Sequence, residues 1–155
     1  MRQPPISAGG TAQNWSDLTC LFSSIDYVKT LDKLRRAIRC MTKHLRPNGL
    51  LIVEPWFTPD TWRPNPVYAQ FIDEPELKIA HINTSLVEGR MSVFDLHHLI
   101  GTPVGTEHIV ERHELGLFET DEMRAVFEEQ GLAVAYDAEG LTGRGLFIGK
   151  LAASA

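Results

Sequence analysis

The sequence predicts an α/β fold built on a parallel sheet, and three consecutive segments support this prediction. Residues 17–22 and 50–54 are short apolar runs that lack polar alternation, as expected of strands buried on both faces. Between them, residues 30–45 carry apolar side chains spaced three or four apart, the pattern of an amphipathic helix. A strand, a helix and a strand of this kind predict a βαβ unit with two parallel strands.

The helix has recognisable boundaries. Thr30 is an N-cap residue, and Lys43 and His44 place positive charge at the negative end of the helix dipole. The Pro-Asn-Gly sequence at 47–49 is expected to end the helix before the second strand.

The middle of the chain predicts a different, antiparallel structure. Residues 57–76 are rich in proline and predict a loop. Three runs with β-branched and aromatic residues follow, at 78–87, 90–99 and 107–118. Because their links are short, we expect a three-stranded antiparallel insertion over residues 77–118.

The carboxyl-terminal part returns to helical spacing and then to strands. Residues 120–130 predict a helix with Met123, Val126 and Phe127 turned inward. Residues 132–138 and 146–151 predict two final strands around the turn sequence LTGRG.

Composition narrows the class of protein. The 155 residues are 43% hydrophobic and 23% charged, as expected of one globular domain. A net charge of -5 argues against nucleic-acid binding, and no apolar run is long enough to span a membrane. Cys20 and Cys40 lack the spacing of a zinc site or a disulfide framework, so we predict a cytoplasmic protein with reduced thiols. Residues 1–14 predict a flexible leader, and 152–155 a short tail.

Polar and aromatic side chains follow both predicted parallel strands. Asp26 and Tyr27 come after the first strand, and Glu54 and Trp56 after the second. Because the carboxyl ends of parallel strands meet at one edge of a sheet, these residues could line one substrate crevice. The alternative is that they are ordinary turn residues and that Trp56 only covers the core.

Other candidate sites are weaker. The histidines lack metal-ligand spacing, and Glu111 and His113 share one face of a predicted strand, where polar residues are expected on the wet side of a meander. We therefore predict no metal site. The glycines around Arg144 favour a tight hairpin over a phosphate-binding loop, although its guanidinium could meet an anionic substrate.

Three segments carry a resemblance to a known family: LTCLFSSIDYV, HLRPNGLLIVEPWFTP and GLTGRGLFIG. Together they resemble class I S-adenosylmethionine-dependent methyltransferases, and most closely the N,N-dimethyltransferases of nucleotide-linked amino sugars. The resemblance covers about residues 15–151. It implies the carboxyl-terminal part of a Rossmann-like sheet, ending in a reversed hairpin. It also implies that the insertion covers the substrate and pairs subunits into a homodimer.

The resemblance also implies roles for individual residues. The cofactor would be S-adenosylmethionine and the acceptor a small molecule such as a nucleotide-linked amino sugar. The resemblance predicts that Asp26 and Tyr27 are catalytic and that Ser23 and Ser24 bind the cofactor. It predicts substrate-binding roles for Glu54, Trp56, Phe57 and Arg144.

The sequence departs from the family in one respect. The glycine-rich cofactor loop, written roughly DxGxGxG, and the carboxylate that follows the second strand of the family sheet are not found in this chain. We therefore expect a truncated methyltransferase in which the cofactor side is mostly missing, and we do not expect catalysis by these 155 residues alone. The alternative is a degenerate, non-catalytic fragment or a dimerising module.

Overall fold

The computed structural model describes residues 15–64 and 67–153, which form two compact units. The first unit contains the chain up to Ile25, Arg35–Pro55 and the chain from Arg124; the second contains Asp26–Leu34 and Trp56–Met123. The predicted leader and the last two residues of the predicted tail lie outside the described residues. In chain order the elements are β1 (Trp15–Cys20), a short 3₁₀ helix (Ser24–Val28), α1 (Leu31–Thr42), β2 (Leu45–Val53), β3 (Tyr68–Glu74), β4 (Leu77–Glu88), β5 (Met91–Thr102), β6 (Gly105–Gly116), α2 (Thr120–Glu128), β7 (Leu132–Asp137) and β8 (Leu146–Leu151).

The sheet of the first unit has the strand order β1-β2-β8-β7. Strands β1 and β2 are parallel, with Thr19 opposite Ile52, which confirms the predicted βαβ unit. The prediction that the first strand is buried on both faces was wrong: β1 lies at the edge of the sheet and four of its six residues are exposed. Strands β7 and β8 are antiparallel, as the predicted reversed hairpin requires. The carboxyl ends of β1 and β2 therefore lie at the same edge of this sheet.

The boundaries of the βαβ unit differ from the prediction. Helix α1 ends at Thr42 and β2 begins at Leu45, because Leu45 already pairs with Trp15. The next pair joins Asp17 to Leu50, so residues 46–49 form an irregular bulge. Asn48 has a φ of 63°, a left-handed conformation that asparagine tolerates better than most residues. The Pro-Asn-Gly sequence thus bends a strand instead of ending a helix.

The second unit contains an antiparallel sheet in the order β3-β4-β5-β6. Its last three strands are the predicted meander. The sheet has one strand more than predicted, since β3 forms within the segment expected to be a loop. This strand lies at the edge of the sheet, where prolines in the flanking segments disrupt no pairing on the open side.

The hydrophobic side chains predicted for α2 are buried. Met123, Val126 and Phe127 are each at most 1% exposed. In the first unit Phe127 packs against Phe147 of β8, with ring centroids 5.8 Å apart. Burial of each such side chain contributes about 1.5–3 kcal/mol. Within the described ranges, no helix is long and apolar enough to cross a membrane.

Candidate functional site

The turn after β1 has an unusual backbone conformation. Phe22 and Ser23 have φ values of 52° and 59°, in the left-handed region that costs a non-glycine residue about 1 kcal/mol or more. Two hydrogen bonds hold this turn: Phe22 N–H donates to Glu54 Oε2 at 2.8 Å, and Ser23 Oγ donates to the Pro55 carbonyl at 3.2 Å. The residues that follow β2 therefore fix the path of the chain after β1.

Glu54 is a buried carboxylate in the first unit that accepts several hydrogen bonds. Its carboxylate is 0% exposed and also accepts hydrogen bonds from Thr142 Oγ1 at 2.5 Å and Arg144 Nη2 at 3.4 Å. Burial alone would raise the pKa of Glu54, but these hydrogen bonds, that of Phe22 and the Arg144 charge together lower it. Glu54 is thus ionised at neutral pH and paired with Arg144, the residue predicted to meet an anionic substrate.

In the second unit, Trp56 is held at two points. Its backbone N–H donates to Asp26 Oδ2 at 2.8 Å, and its indole Nε1 donates to Ser92 Oγ at 2.8 Å. Asp26 is only 1% exposed. The first bond fixes the backbone and the second fixes the rotation of the ring, so Trp56 presents a defined aromatic surface.

Trp56 forms one wall of an aromatic cavity of about 350 Å³. Its ring centroid lies 4.8 Å from that of Phe57 and 5.3 Å from that of Trp62. The indole Nε1 of Trp62 is buried and has no hydrogen-bond partner among the described residues, so it is an unused donor. The remaining lining residues are Thr61, Arg63, Tyr68, Asn83, Ser85 and Phe94. Cavities of about 300–1,000 Å³ with aromatic walls and a few polar groups are typical of small-molecule sites.

Tyr27, predicted as catalytic, is paired with a histidine that the sequence indicated only as a polar residue on a solvent-facing strand surface. Its hydroxyl lies 2.5 Å from Nδ1 of His113, whose ring stacks on Phe94 with centroids 5.2 Å apart. Burial and the nearby negative charge of Glu111 raise the pKa of Tyr27, so its phenol stays protonated at neutral pH. Phe94 also faces Trp56, which links this pair to the aromatic cavity within the second unit.

The structure separates the predicted site residues into two groups. Glu54, Arg144 and Ser23 belong to the first unit, and Asp26, Tyr27, Trp56 and Phe57 to the second. Ser24, predicted as cofactor-binding, is exposed, and its hydroxyl donates to the Leu21 carbonyl at 2.7 Å. Both predicted cofactor-binding hydroxyls therefore donate to backbone carbonyls, and their oxygens are left as hydrogen-bond acceptors. Their role in binding S-adenosylmethionine stays a prediction.

Several residues of the site were missed from the sequence. His113, Ser92 and Thr142 contact predicted site residues from distant positions in the chain, whereas Trp62 contacts the nearby Trp56. Period-two alternation did place Glu111 and His113 on one strand face, which is the only signal that pointed toward this pair. Across the described segments, no group of three or more His, Cys, Asp or Glu side chains is arranged to hold a metal ion.

Comparison with known proteins identifies relatives in sequence. The chain is 33% identical over 138 residues to dTDP-3-amino-3,4,6-trideoxy-alpha-D-glucopyranose N,N-dimethyltransferase of Streptomyces venezuelae. It is 35% identical over 132 residues to dTDP-4-amino-2,3,4,6-tetradeoxy-D-glucose N,N-dimethyltransferase of Saccharopolyspora spinosa. These matches cover 88% and 85% of this chain but only 58% and 53% of the relatives, so the chain spans little more than half of their length. No protein-family profile matches the sequence.

Solved structures lead to the same group. DesVI of Streptomyces venezuelae matches 92% of this chain and 64% of its own, with a TM-score of 0.83 and 32% identity. CalS10 of Micromonospora echinaspora, an amino pentose methyltransferase solved with S-adenosylmethionine bound, matches 91% of this chain and 62% of its own, with a TM-score of 0.80 and 28% identity. The predicted relationship, Rossmann-like fold and family cofactor are therefore confirmed: the homologues are nucleotide-linked amino-sugar N,N-dimethyltransferases, and the structural neighbours are S-adenosylmethionine-dependent sugar methyltransferases.

Proposed function

We propose, from this homology to the nucleotide-sugar N,N-dimethyltransferases, that the chain supplies the acceptor-binding part of an S-adenosylmethionine-dependent amino-sugar N-methyltransferase. The observation that carries the proposal is the aromatic cavity beside the Tyr27–His113 pair in the second unit. A cavity with rigid aromatic walls and few charges suits the planar base or sugar ring of a nucleotide-linked acceptor. The relatives named above act on dTDP-linked amino sugars.

The chemistry required of such a site is modest. An amine attacks a sulfonium methyl group only when its nitrogen is unprotonated and aligned with the methyl carbon, so positioning and proton removal dominate. Tyr27 has a hydroxyl that can bind the amine and a histidine that can take its proton. Trp56 and Phe57 provide walls that exclude water. Asp26, predicted as catalytic, instead holds Trp56, which favours a positioning role.

Calorimetry on the 155-residue chain tests acceptor binding. We expect a dTDP-linked amino sugar to bind, and Trp56→Ala to weaken its binding by at least about tenfold through loss of the main aromatic wall. Trp15→Ala removes an indole of the same size from an exposed position on β1, where it is 51% exposed, and is the matched control. Absence of acceptor binding, or equal loss in both variants, contradicts the proposal.

A second titration, with S-adenosylmethionine, decides whether the chain acts alone. Because the glycine-rich cofactor loop of the family is not found in this chain, we expect no heat at high micromolar cofactor. Binding of S-adenosylmethionine would contradict this expectation and call for a direct assay of methyl transfer by the chain. This outcome would leave the acceptor proposal intact.

An association role is the second candidate, and one observation favours it. One surface of the second sheet, here called the reverse face, exposes Phe71, Ile82, Leu99 and Val110, with Phe71 68% and Leu99 50% exposed. Large exposed apolar patches mark interaction surfaces. We propose that a second copy of the chain covers the reverse face, as the resemblance predicted for the insertion.

A further inference from the structure

Ionisable side chains extend away from Tyr27 across the opposite surface of the second sheet. His113 Nε2 lies 3.6 Å from Glu111 Oε2, and the same Glu111 oxygen lies 4.0 Å from His98 Nε2. The His98 ring in turn lies 4.6 Å from that of His81, between centroids. The function proposed above uses only the first members of this series, Tyr27 and His113.

The geometry assigns a proton to a particular atom of His113. If Tyr27 O–H donates to Nδ1, neutral His113 carries its ring proton on Nε2. That atom is buried and has no hydrogen-bond partner within the described ranges, but the Glu111 carboxylate faces it. A carboxylate beside Nε2 favours the Nε2–H tautomer, because the proton then faces the negative charge.

We propose that Glu111 is a positioning residue: it fixes the tautomer of His113 and leads the proton of the acceptor amine toward solvent. The proposal rests on the function proposed above. An acceptor ammonium gives a proton to the Tyr27 oxygen while the Tyr27 proton moves to His113 Nδ1. His113 then releases its Nε2 proton to Glu111, whose side chain is 57% exposed, and from there to water. Proton exchange with solvent restores the Nε2–H tautomer of His113 before the next transfer. One proton leaves per methyl group transferred, and no electrons are exchanged.

The other charged side chains near Tyr27, His113, Glu111 and His98 do not face the Nε2 atom of His113. Tyr27 comes from the 3₁₀ helix, His98 from β5, His81 from β4, and Glu111 and His113 from β6. Arg112 and Glu114 of β6 alternate to the reverse face and pair with each other at 3.0 Å, and Arg112 also pairs with Asp95 at 3.5 Å. Phe94, stacked on His113, carries no charge.

Nitrogen-15 NMR of the chain without any ligand tests the geometric part. Glu111→Gln should lower the Nε2–H share of His113, and the same charge removal should lower the pKa of Tyr27, because the Glu111 charge helps to raise it. Glu107→Gln, which removes a carboxylate from the same strand and face, is the control and should change neither. Glu111→Asp keeps the charge and should retain most of the wild-type tautomer. An unchanged His113 tautomer in Glu111→Gln overturns the proposal whether or not the chain is active.

The kinetic part applies if the chain binds S-adenosylmethionine, contrary to the expectation above, and it uses methyl transfer measured over a range of pH. Glu111→Gln should lower kcat by about tenfold with KM for the acceptor changed less than about twofold, and the loss should vary with pH. Because Glu111 acts through Tyr27, the double variant with Tyr27→Phe should be no slower than Tyr27→Phe alone. Additive losses overturn the proposal. If the wild-type chain transfers no methyl group, it has no activity of its own, and the NMR result alone decides the role of Glu111.

Discussion

Glu54 links the turn after β1 to the turn between β7 and β8 inside the first unit. Its side chain receives hydrogen bonds from Phe22 N–H, Thr142 and Arg144, and no part of it reaches solvent. A buried carboxylate with so many donors must be ionised to satisfy them. Removing its charge leaves Arg144 without its countercharge and the strained Phe22 turn with a weaker acceptor.

We expect Glu54→Gln to destabilise the chain by about 3 kcal/mol, the usual cost of removing one partner of a buried ion pair. Urea unfolding at neutral pH measures this. Glu129→Gln breaks an exposed pair with Arg35, whose side chains are 42% and 44% exposed, and should cost less than about 0.5 kcal/mol. Equal effects of the two substitutions would mean that Glu54 is not the anchor of this turn.

The lowered pKa of Glu54 also predicts an acid-sensitive stability. The folded state holds this carboxyl at a pKa below its ordinary value of 4.5, so it contributes stability that is present above pH 4.5 and is lost as the pH falls through the lower folded value. Thermal unfolding measured from pH 6 to pH 3 should therefore show a steeper fall of the melting temperature in the wild type than in Glu54→Gln. If the melting temperatures of the two proteins fall in parallel with pH, the lowered pKa of Glu54 is contradicted.

Single residues show where sequence reasoning succeeds and where it stops. Asp26, Tyr27, Glu54 and Trp56 could be selected because each follows a recognisable strand, and strand ends are where ligands bind. His113 could not, because 86 residues separate it from Tyr27 and its partner depends on how the meander folds. The pairing register decides that contact, and local spacing carries no information about it.

At the scale of elements, strongly periodic apolar patterns predict helices and strands correctly, whereas segments with mixed signals do not. Helix α1 and strands β4, β5 and β6 follow from clear apolar patterns. Strand β3 was missed because prolines surround it, although an edge strand pairs on one side only and tolerates them. The bulge in β2 was read as a helix stop because the Pro-Asn-Gly sequence suits either structure.

The turn between β7 and β8 yields a prediction with an internal control. Gly145 and Gly143 have φ values of 86° and 79°, so alanine costs about 1–2 kcal/mol of backbone strain at either position. At Gly145 a Cβ would also lie 2.3 Å from the Tyr136 hydroxyl, whereas at Gly143 it would meet nothing within 4 Å. Gly145→Ala should therefore be less stable than Gly143→Ala by about 1–3 kcal/mol in urea unfolding. A difference near zero would show that the Tyr136 ring moves freely.

At the scale of the whole molecule, each of the two units has its own sheet, and neither unit is continuous in sequence. The chain passes into the second unit directly before Asp26 and again directly before Trp56. The residues that line the aromatic cavity all follow the second crossing, whereas Asp26, which holds Trp56, follows the first. The relatives named above are nearly twice as long as the matched segment.

The reverse face gives the prediction that belongs to this scale. If a second copy covers it, the wild-type chain should sediment at twice the mass of one chain at micromolar concentration. Phe71→Glu combined with Leu99→Glu places like charges on exposed apolar positions and should weaken association by at least about tenfold, because buried charges without partners cost more than lost apolar contact. Val104→Glu alters a side chain that is 98% exposed in the β5–β6 turn and should leave association unchanged. A monomeric wild type, or equal association in all variants, would remove the reverse face as a pairing surface and leave the acceptor cavity as the only proposed role of the second unit.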